Sequence, residues 1–363
     1  MTEQEALLVL NAVPDLGAIR IRKLRAYFGS AIHVLRASFD ELVDSNLLAV
    51  KTVENIFHFS KDKFLQDEYN LMRQKGIVAL TAVDGQFPCS LRDGDDSPVV
   101  LYVKGDTASI DQISVALVGS RAASYYGNKI ARSFAQAFVR AGVTVVSGLA
   151  RGIDTAAHQG SLEAGGKTIA VIGCGFNYIY PKENNLLMGA ISEQGAVLSE
   201  FACGMPPLKQ NFPWRNRIIS ALSLATVVIE AGRKSGALIT ADFALAQNKD
   251  VYAVPSNIDS ETALGSNQLI QDGARVALIP DDVLSQIKTD FIPSSREKVI
   301  TQLLSEEQSR VYPHITCQPV HMDDLLRQSG FSVSSLMNIT LSLELKHLIR
   351  QLPGQYYVRN ENA

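Results

Sequence analysis

The sequence lacks the features that would place it in a membrane, in a secreted disulfide scaffold or around a metal. No apolar run in its 363 residues approaches the ~20 needed to cross a bilayer. Only four cysteines occur, Cys89, Cys174, Cys203 and Cys317. None has a Cys-x-x-Cys partner and no histidine cluster accompanies them, which argues against zinc and predicts buried free thiols. Met1–Leu10 carries Glu3 and Glu5 and no basic residue. Without a basic start there is no signal-peptide pattern, and a cytoplasmic location with no membrane contact is expected. Excess positive charge is missing too, since the net charge is −3. Any nucleic-acid contact must therefore come from a local gathering of cations.

The length suggests two or three domains, and the chain changes character twice. Residues 1–75 read as short helices, with apolar residues at helical spacing through Ala6–Leu10 and again at Ile21, Leu24 and Phe28. Val13-Pro14-Asp15-Leu16-Gly17 supplies a turn between them, giving a helix-hairpin-helix pattern whose second helix start is followed by Arg20, Arg22, Lys23 and Arg25. Residues 76–290 hold short β-branched runs at Val99–Val103, Ser114–Val118, Val143–Val146, Thr168–Ile172, Ala196–Leu198, Thr226–Ile229, Val251–Val254 and Arg275–Leu278. Helical patterns alternate with them, at Lys129–Arg140, Thr155–Ala164, Asn216–Leu222 and Ala237–Gln247. Fully apolar strands alternating with helices predict an α/β fold with a parallel sheet covered on both faces. After a linker at Pro293-Ser294-Ser295, residues 297–360 give helical patterns at Lys298–Leu304, Met322–Gln328 and Ser334–Leu348. A short hairpin around Pro353-Gly354 then suggests a winged helix. Its presumed recognition helix offers little to base edges beyond Asn338. Leu336, Met337, Ile339 and Leu343 read as core or as a partner-facing stripe.

The chemistry gathers at the strand ends. The run Ser114–Val118 leads into Gly119-Ser120-Arg121, and the next strand into Ser147-Gly148-Leu149-Ala150-Arg151-Gly152. Small residues there let backbone amides and a helix start approach a phosphate, with arginines adding charge. For Gly152, turn geometry alone is sufficient reason. Gly173-Cys174-Gly175 lacks the rest of a dinucleotide fingerprint, because Tyr178 stands where its third glycine should be. No ribose-binding acid and no Walker-type loop is present, so no cofactor is expected. Asp154 and His158, four apart, are placed for a local pair of structural use, and no nucleophile accompanies them. The strongest local signal runs from Lys209 through Phe212, Pro213, Trp214, Arg215 and Asn216 to Arg217. Between Leu208 and Thr240 there are five cations (Lys209, Arg215, Arg217, Arg233, Lys234) against one acid, Glu230, which reverses the sign of the chain as a whole. Cations interleaved with aromatics suit single strands, whose bases stack while their phosphates meet charge. Ser235 follows as a helix N-cap or a phosphate contact.

The blocks VALVGSRAASYYG, SGLARGIDTAAH, TIAVIGCG, NFPWRNRIIS, VIEAGRKSGALITADFAL and GSNQLIQDGA, in that order over about residues 115–277, resemble the DprA/Smf family. That resemblance implies an extended Rossmann-like core flanked by an N-terminal SAM-like helical domain and a C-terminal winged helix. It also implies a non-catalytic homodimer that binds single-stranded DNA and loads a RecA-type recombinase in natural transformation. Carried over by position, Gly119, Ser120 and Arg121 match the family's phosphate pocket and Ser147 and Gly148 its second wall. Lys209, Phe212, Arg215, Asn216 and Arg217 match its basic and aromatic strip, and Lys234 and Ser235 belong with them. One departure is Val254-Pro255-Ser256-Asn257, where the family continues Pro-Gly. The main rival is a Rossmann enzyme of the nucleotide phosphoribohydrolase kind, whose glycine loop is followed by a glutamate. Here Asp242 is the nearest acid, and it is displaced. A pure protein adaptor is a third reading, and it leaves the basic aromatic strip unexplained.

Overall fold

A computed structural model of the chain describes residues 1–92, 94–290, 304–315, 320–346 and 348–359. Contacts divide the chain into two compact units, Met1–Asp290 and Phe291–Ala363.

The first unit opens with helices Glu3–Ala12, Ala18–Phe28, Ala31–Arg36, Phe39–Asp44, Val50–His58 and Lys61–Lys75. Thr2 and Ser38 start two of them with capping boxes to Glu5 and Glu41, satisfying amides that a helix start leaves unpaired. Gly76 ends the last at φ 65°, a conformation glycine adopts without a Cβ penalty. Their apolar stripe is buried, with Leu7, Leu10, Ile21 and Leu24 at 0% exposure, and it shares one cluster with Val100 and Tyr102 of the sheet. Each such side chain contributes about 1.5–3 kcal/mol relative to exposure. The helical segment is thus packed on the sheet by its own hydrophobic pattern.

The strands are β1 (Ile77–Thr81), β2 (Val100–Gly105), β3 (Ser114–Val118), β4 (Thr144–Ser147), β5 (Thr168–Val171), β6 (Ala196–Ser199), β7 (Ala225–Val228), β8 (Asp250–Ala253) and β9 (Arg275–Val276). They form one sheet in the order β1-β2-β6-β5-β4-β3-β7-β8-β9. Pairing is parallel from β6 to β9, while β1 and β2 run antiparallel at one edge. All eight expected strands are present, and β1 is the addition. Alternate residues of β3 face opposite clusters. Val115 and Leu117 pack with Phe134 and Phe138 of helix Tyr125–Arg140 and with Ile153 of helix Ile153–Glu163. Ala116 and Val118 pack with Ile218 of helix Asn211–Leu222 and Ala241 of helix Gly236–Ala246. Burial on both faces is why these strands read as unbroken apolar runs. The order matters for function. From β3 the chain winds outward to β6, then returns to place β7 on the other side of β3. The connections leaving β3 and β7 diverge, which opens a crevice at their carboxyl ends.

In the second unit, helices Glu306–Val311, Met322–Ser329 and Val333–Leu345 accompany a sheet of β10 (Val320–His321), β11 (Ile349–Leu352) and β12 (Tyr356–Arg359), ordered β10-β12-β11. Leu325, Leu336, Ile339, Leu343 and Ile349 form its core. This is a winged helix. The expected linker at Pro293-Ser294-Ser295, the helix from Lys298 and Cys317 lie outside the described residues. The four apolar residues expected as core or partner-facing stripe divide: Leu336, Ile339 and Leu343 are buried, while Met337 is 54% exposed, on a different face. The thiols divide as well. Cys174 and Cys203 are buried, but Cys89 is exposed. Burial pushes Cys174 up to about 11. Among the described residues no helix is long and apolar enough to cross a membrane.

Candidate functional site

The crevice is a cavity of about 580 Å³ lined by Gly119, Ser120 and Arg121 after β3, by Arg215 and Asn216, and by Lys234 and Ser235 after β7. Seven of the expected site residues therefore meet at the topological switch point. Arg121 and Lys234 are exposed. Neither makes an ion pair among the described residues, so both leave their charge open to a ligand.

Two helix starts face this region, and their amides are used differently. Glu230 takes the one after β3. It accepts hydrogen bonds from Ser124 N (3.1 Å) and Ser124 Oγ (2.6 Å), so the protein's own carboxylate sits at that positive terminus. Gly127 admits it, because a Cβ there would stand 2.1 Å from the carboxylate. A phosphate at that helix start, as the sequence suggested, is therefore not supported. The helix start after β7, Gly236–Ala246, carries no acidic residue in its first turn and is capped by Ser235, which accepts from Ala237 N at 3.3 Å. Its first residues Gly236 and Ala237 line the cavity, and with the Ala237 amide taken by Ser235 it is the Gly236 amide and the helix dipole that this start offers an anion.

Arg215 is 3% exposed, yet its guanidinium reaches the cavity wall. It donates to the Gly148 carbonyl at 2.7 Å and through Nε to Asn216 Oδ1 at 3.2 Å. Asn216 in turn donates to the Gly236 carbonyl at 3.1 Å, which ties this helix to the helix start after β7. Burial pulls Arg215 down to about 10 and pushes Asp154 up, while each charge opposes the other's shift. The absent side chain of Gly148 makes room for this pair, since a Cβ would stand 2.6 Å from both Arg215 and Asp154. Gly148 thus supports the wall without lining it. Ser147 does not line the cavity either. It is fully buried, and its hydroxyl donates to the Leu117 carbonyl at 2.6 Å, stitching β4 to β3.

Arg217 is the clear correction among the cations. It is 1% exposed, ion-paired with Glu200, bonded through Nε to the Asp96 carbonyl at 2.8 Å and held 4.3 Å from the Trp214 ring centre. None of its hydrogen-bonding capacity faces the cavity. Lys209 is exposed ahead of the helix, outside the cavity lining. Arg151, expected to add charge at this edge, is exposed and paired with Glu183. In the helical hairpin, Arg20 and Arg22 donate to backbone carbonyls, Arg22 to those of Ser97 and Arg92, and Arg25 pairs with Glu3. Those side chains lock local structure.

Phe212 adjoins the cavity through Arg121, whose guanidinium carbon lies 5.4 Å from the ring centre. On its other contacts, Phe212 meets Tyr180 at 5.0 Å between ring centres, and it packs where a Cβ at Gly173 would be 2.9 Å from the ring. The Gly-x-Gly after β5 is therefore a packing feature beneath an aromatic. Sequence reasoning missed Tyr180, which the fold brings in from far along the chain. Gly152 has φ 72°, and a Cβ there would stand 2.3 Å from the Ser120 carbonyl, in keeping with a turn role. At the departure noted above, Ser256 is held from both sides by Asn267, through bonds of 3.1 and 3.0 Å.

His158 makes its hydrogen bond with Thr168. Thr168 Oγ1 donates to the Val145 carbonyl at 2.8 Å, so it must accept from His158 Nδ1–H at 2.7 Å. Burial and the nearby Arg215 charge hold His158 down to about 3, against an ordinary 6.5. The unfolded chain then binds a proton that the folded chain refuses. The stabilisation is complete above pH 6.5 and is lost as pH falls toward 3, at about 1.4 kcal/mol per pH unit. Denaturant melts between pH 6 and 5 should show this slope, and His158→Leu should flatten it. Equal slopes for both proteins would reject the assignment.

Among the described residues no group of histidine, cysteine and acidic side chains is placed to hold a metal. Asp242, the displaced acid of the enzyme reading, does not line the cavity, and Glu230 is committed to Ser124. The arrangement has the form of a Rossmann-like domain that gathers exposed cations and aromatic rings at the carboxyl ends of its strands. The family model described as DNA recombination-mediator protein A matches residues 78–288, and that of the DprA winged helix domain matches residues 297–355. The chain belongs to the DprA/Smf family. Protein Smf of Escherichia coli is 36% identical over 285 residues, 76% of each chain. The X-ray structure of DNA processing protein A from Streptococcus pneumoniae superposes with a TM-score of 0.68 at 35% identity, covering 78% of this chain and 98% of that one. The protein from Helicobacter pylori, described for its single-stranded DNA binding mode, gives a TM-score of 0.54 at 28% identity over 59% of this chain and 97% of its own.

Proposed function

We propose that this chain binds single-stranded DNA across the switch-point cavity, without catalysis. The observation that carries the reading is the junction of two exposed cations without an acidic partner among the described residues, Arg121 and Lys234, with a helix start that has no acidic residue in its first turn and the Phe212–Tyr180 ring pair. Phosphates meet the charge and amides, and bases meet the rings. Gly119, Ser120, Arg215, Asn216 and Ser235 shape the cavity, with Lys209 an outer phosphate contact. The relative from H. pylori supports single strands as the ligand. Its family supports the finer role: protecting incoming single strands and loading a RecA-type recombinase in natural transformation, in the cytoplasm. The homodimer belongs to the same proposal. Val276, Leu278 and Ile279, at and beyond edge strand β9, are 42%, 70% and 54% exposed and offer an apolar surface for a second copy. The functional division follows as 1–75, 76–290 and 297–360.

The winged helix is assigned to protein contact. Val333, Met337, Leu341 and Leu345 recur every fourth residue along its recognition helix and are all more than half exposed. A groove-reading helix offers polar side chains in such positions.

A mobility shift with single-stranded and duplex DNA over a salt series tests the reading. The full chain should prefer single strands and tolerate changes of sequence. A chain ending at Pro293 should keep most of its affinity. A strong preference for one duplex sequence, or loss of binding in a truncated but folded chain, would overturn it.

A further inference from the structure

Beside the switch-point cavity lies a smaller hollow of about 250 Å³, lined by Arg121, Ala122, Ala150, Arg151, Tyr180 and Pro181. Arg121, Ala122 and Ala150 line both, so the two adjoin along these residues. Both charged residues of the smaller lining are arginines, and its aromatic wall is Tyr180, whose ring meets Phe212 at 5.0 Å between centres. Two like charges around one small space repel each other, and an anion placed between them removes that repulsion.

The two arginines are held differently. Arg121 makes no ion pair among the described residues, whereas Arg151 is paired through Nε with Glu183. The side chains of that pair are 64% and 51% exposed, so water screens it and it exchanges partners readily. The backbone under the pair is fixed. Arg151 lies between Leu149 at φ 57° and Gly152 at φ 72°. Asn184, next to Glu183 and 6% exposed, donates to the Leu149 carbonyl at 2.9 Å and to Thr155 Oγ1 at 2.8 Å. Thr155 Oγ1 in turn donates to the Ala150 carbonyl at 2.7 Å. The turn carrying Glu183 is therefore bolted to the segment carrying Arg151, and the carboxylate leaves the guanidinium by side-chain rotation alone.

We propose that this hollow is a second phosphate subsite for the single strand, and that Glu183 is its resident competitor. In the free protein the Glu183 carboxylate occupies Arg151. As the strand passes Arg121, its next phosphodiester replaces that carboxylate on Arg151, because a guanidinium offers the same planar fork of donors to either anion. The adjoining base meets the Tyr180 ring. The inference rests on the single-strand reading above and deepens it, giving the strand a direction from the cavity past Arg121 to Arg151 and the chain a built-in brake on affinity. Since Glu183 already neutralises Arg151, the exchange releases no counterion there, and salt dependence is shallower than the number of cations implies.

The test is fluorescence anisotropy of a dye-labelled thymidine oligonucleotide of about twelve residues, the span of one ordinary single-strand site, over a salt series. It compares the full chain with Glu183→Gln, Arg151→Ala and the two combined. Glu183→Gln should tighten binding about threefold at low salt and steepen the salt slope by about 0.7, because an unpaired arginine now exchanges counterions for phosphate. Arg151→Ala should weaken binding about threefold. With Arg151 already replaced, Glu183→Gln should leave affinity nearly unchanged. A gain as large without Arg151 as with it would mean general repulsion between Glu183 and the strand, and the subsite would be wrong. If both single variants bind like wild type, the strand does not reach the hollow, and binding at the switch point stands alone. If the unaltered chain binds no oligonucleotide, the single-strand reading fails and the subsite falls with it.

Discussion

Replacing Arg121 and Lys234 together with alanine is expected to lower single-strand affinity about 100-fold at moderate salt. Each charged hydrogen bond to phosphate contributes roughly 1.5 kcal/mol, close to a factor of ten. The plot of log affinity against log salt should flatten by about 1.4, since each lost phosphate contact on a single strand removes about 0.7. Melting temperature should barely move, because both side chains are exposed and neither holds an ion pair among the described residues. Arg121→Ala alone should do slightly more than Lys234→Ala, as it also removes the cation from the Phe212 ring. Lys209→Ala, outside the cavity, should give the smallest change. Filter binding over a salt series reads all of these. Wild-type affinity and slope in the double variant would place the strand elsewhere on the molecule.

The sheet was legible because its strands are buried on both faces. Runs such as Val115–Val118 have no polar alternation to confuse with a helix, and small residues follow them where the ligand edge lies. Strand β1, Ile77–Thr81, is as apolar a run as β3, and it is hidden because only Gly76 separates it from the helix Lys61–Lys75, so its apolar residues read as a continuation of the helical segment. The strand-end residues were legible for the same reason as the strands. What the sequence concealed was orientation. Arg215 and Arg217 read as one basic strip, yet positions two apart on a helix point about 200° apart. That spacing alone forbids both from facing one ligand, and it was the signal available. Which of the two turns inward was not available, because the partners that decide it, Glu200, Asp96 and Gly148, are remote in the chain. Tyr180 is concealed in the same way: an isolated tyrosine becomes part of the site only when the sheet brings it to Phe212. Glu230 reads as the lone acid in a basic segment, and its role as the cap of Ser124 emerges only from the packing of β3 beside β7.

Arg217→Ala should destabilise the protein strongly and leave the salt dependence of binding alone. The guanidinium and the Glu200 carboxylate are 1% and 4% exposed, so removing the cation strands a buried negative charge. Breaking such a pair from one side costs about 3–5 kcal/mol. For a unit of this size that is a fall of roughly 5–8 °C in melting temperature. Lost contacts to the Asp96 carbonyl and the Trp214 ring act in the same direction. Arg217→Met combined with Glu200→Leu removes both charges and keeps the volume, and it should recover much of the stability, because the desolvation penalty disappears with the pair. The recovery distinguishes an internal ion pair from a phosphate ligand, whose loss no change at Glu200 would repair. Below the melting transition, Arg217→Ala should retain the wild-type salt slope. A stable Arg217→Ala protein whose slope falls by about 0.7 would instead turn this arginine toward DNA.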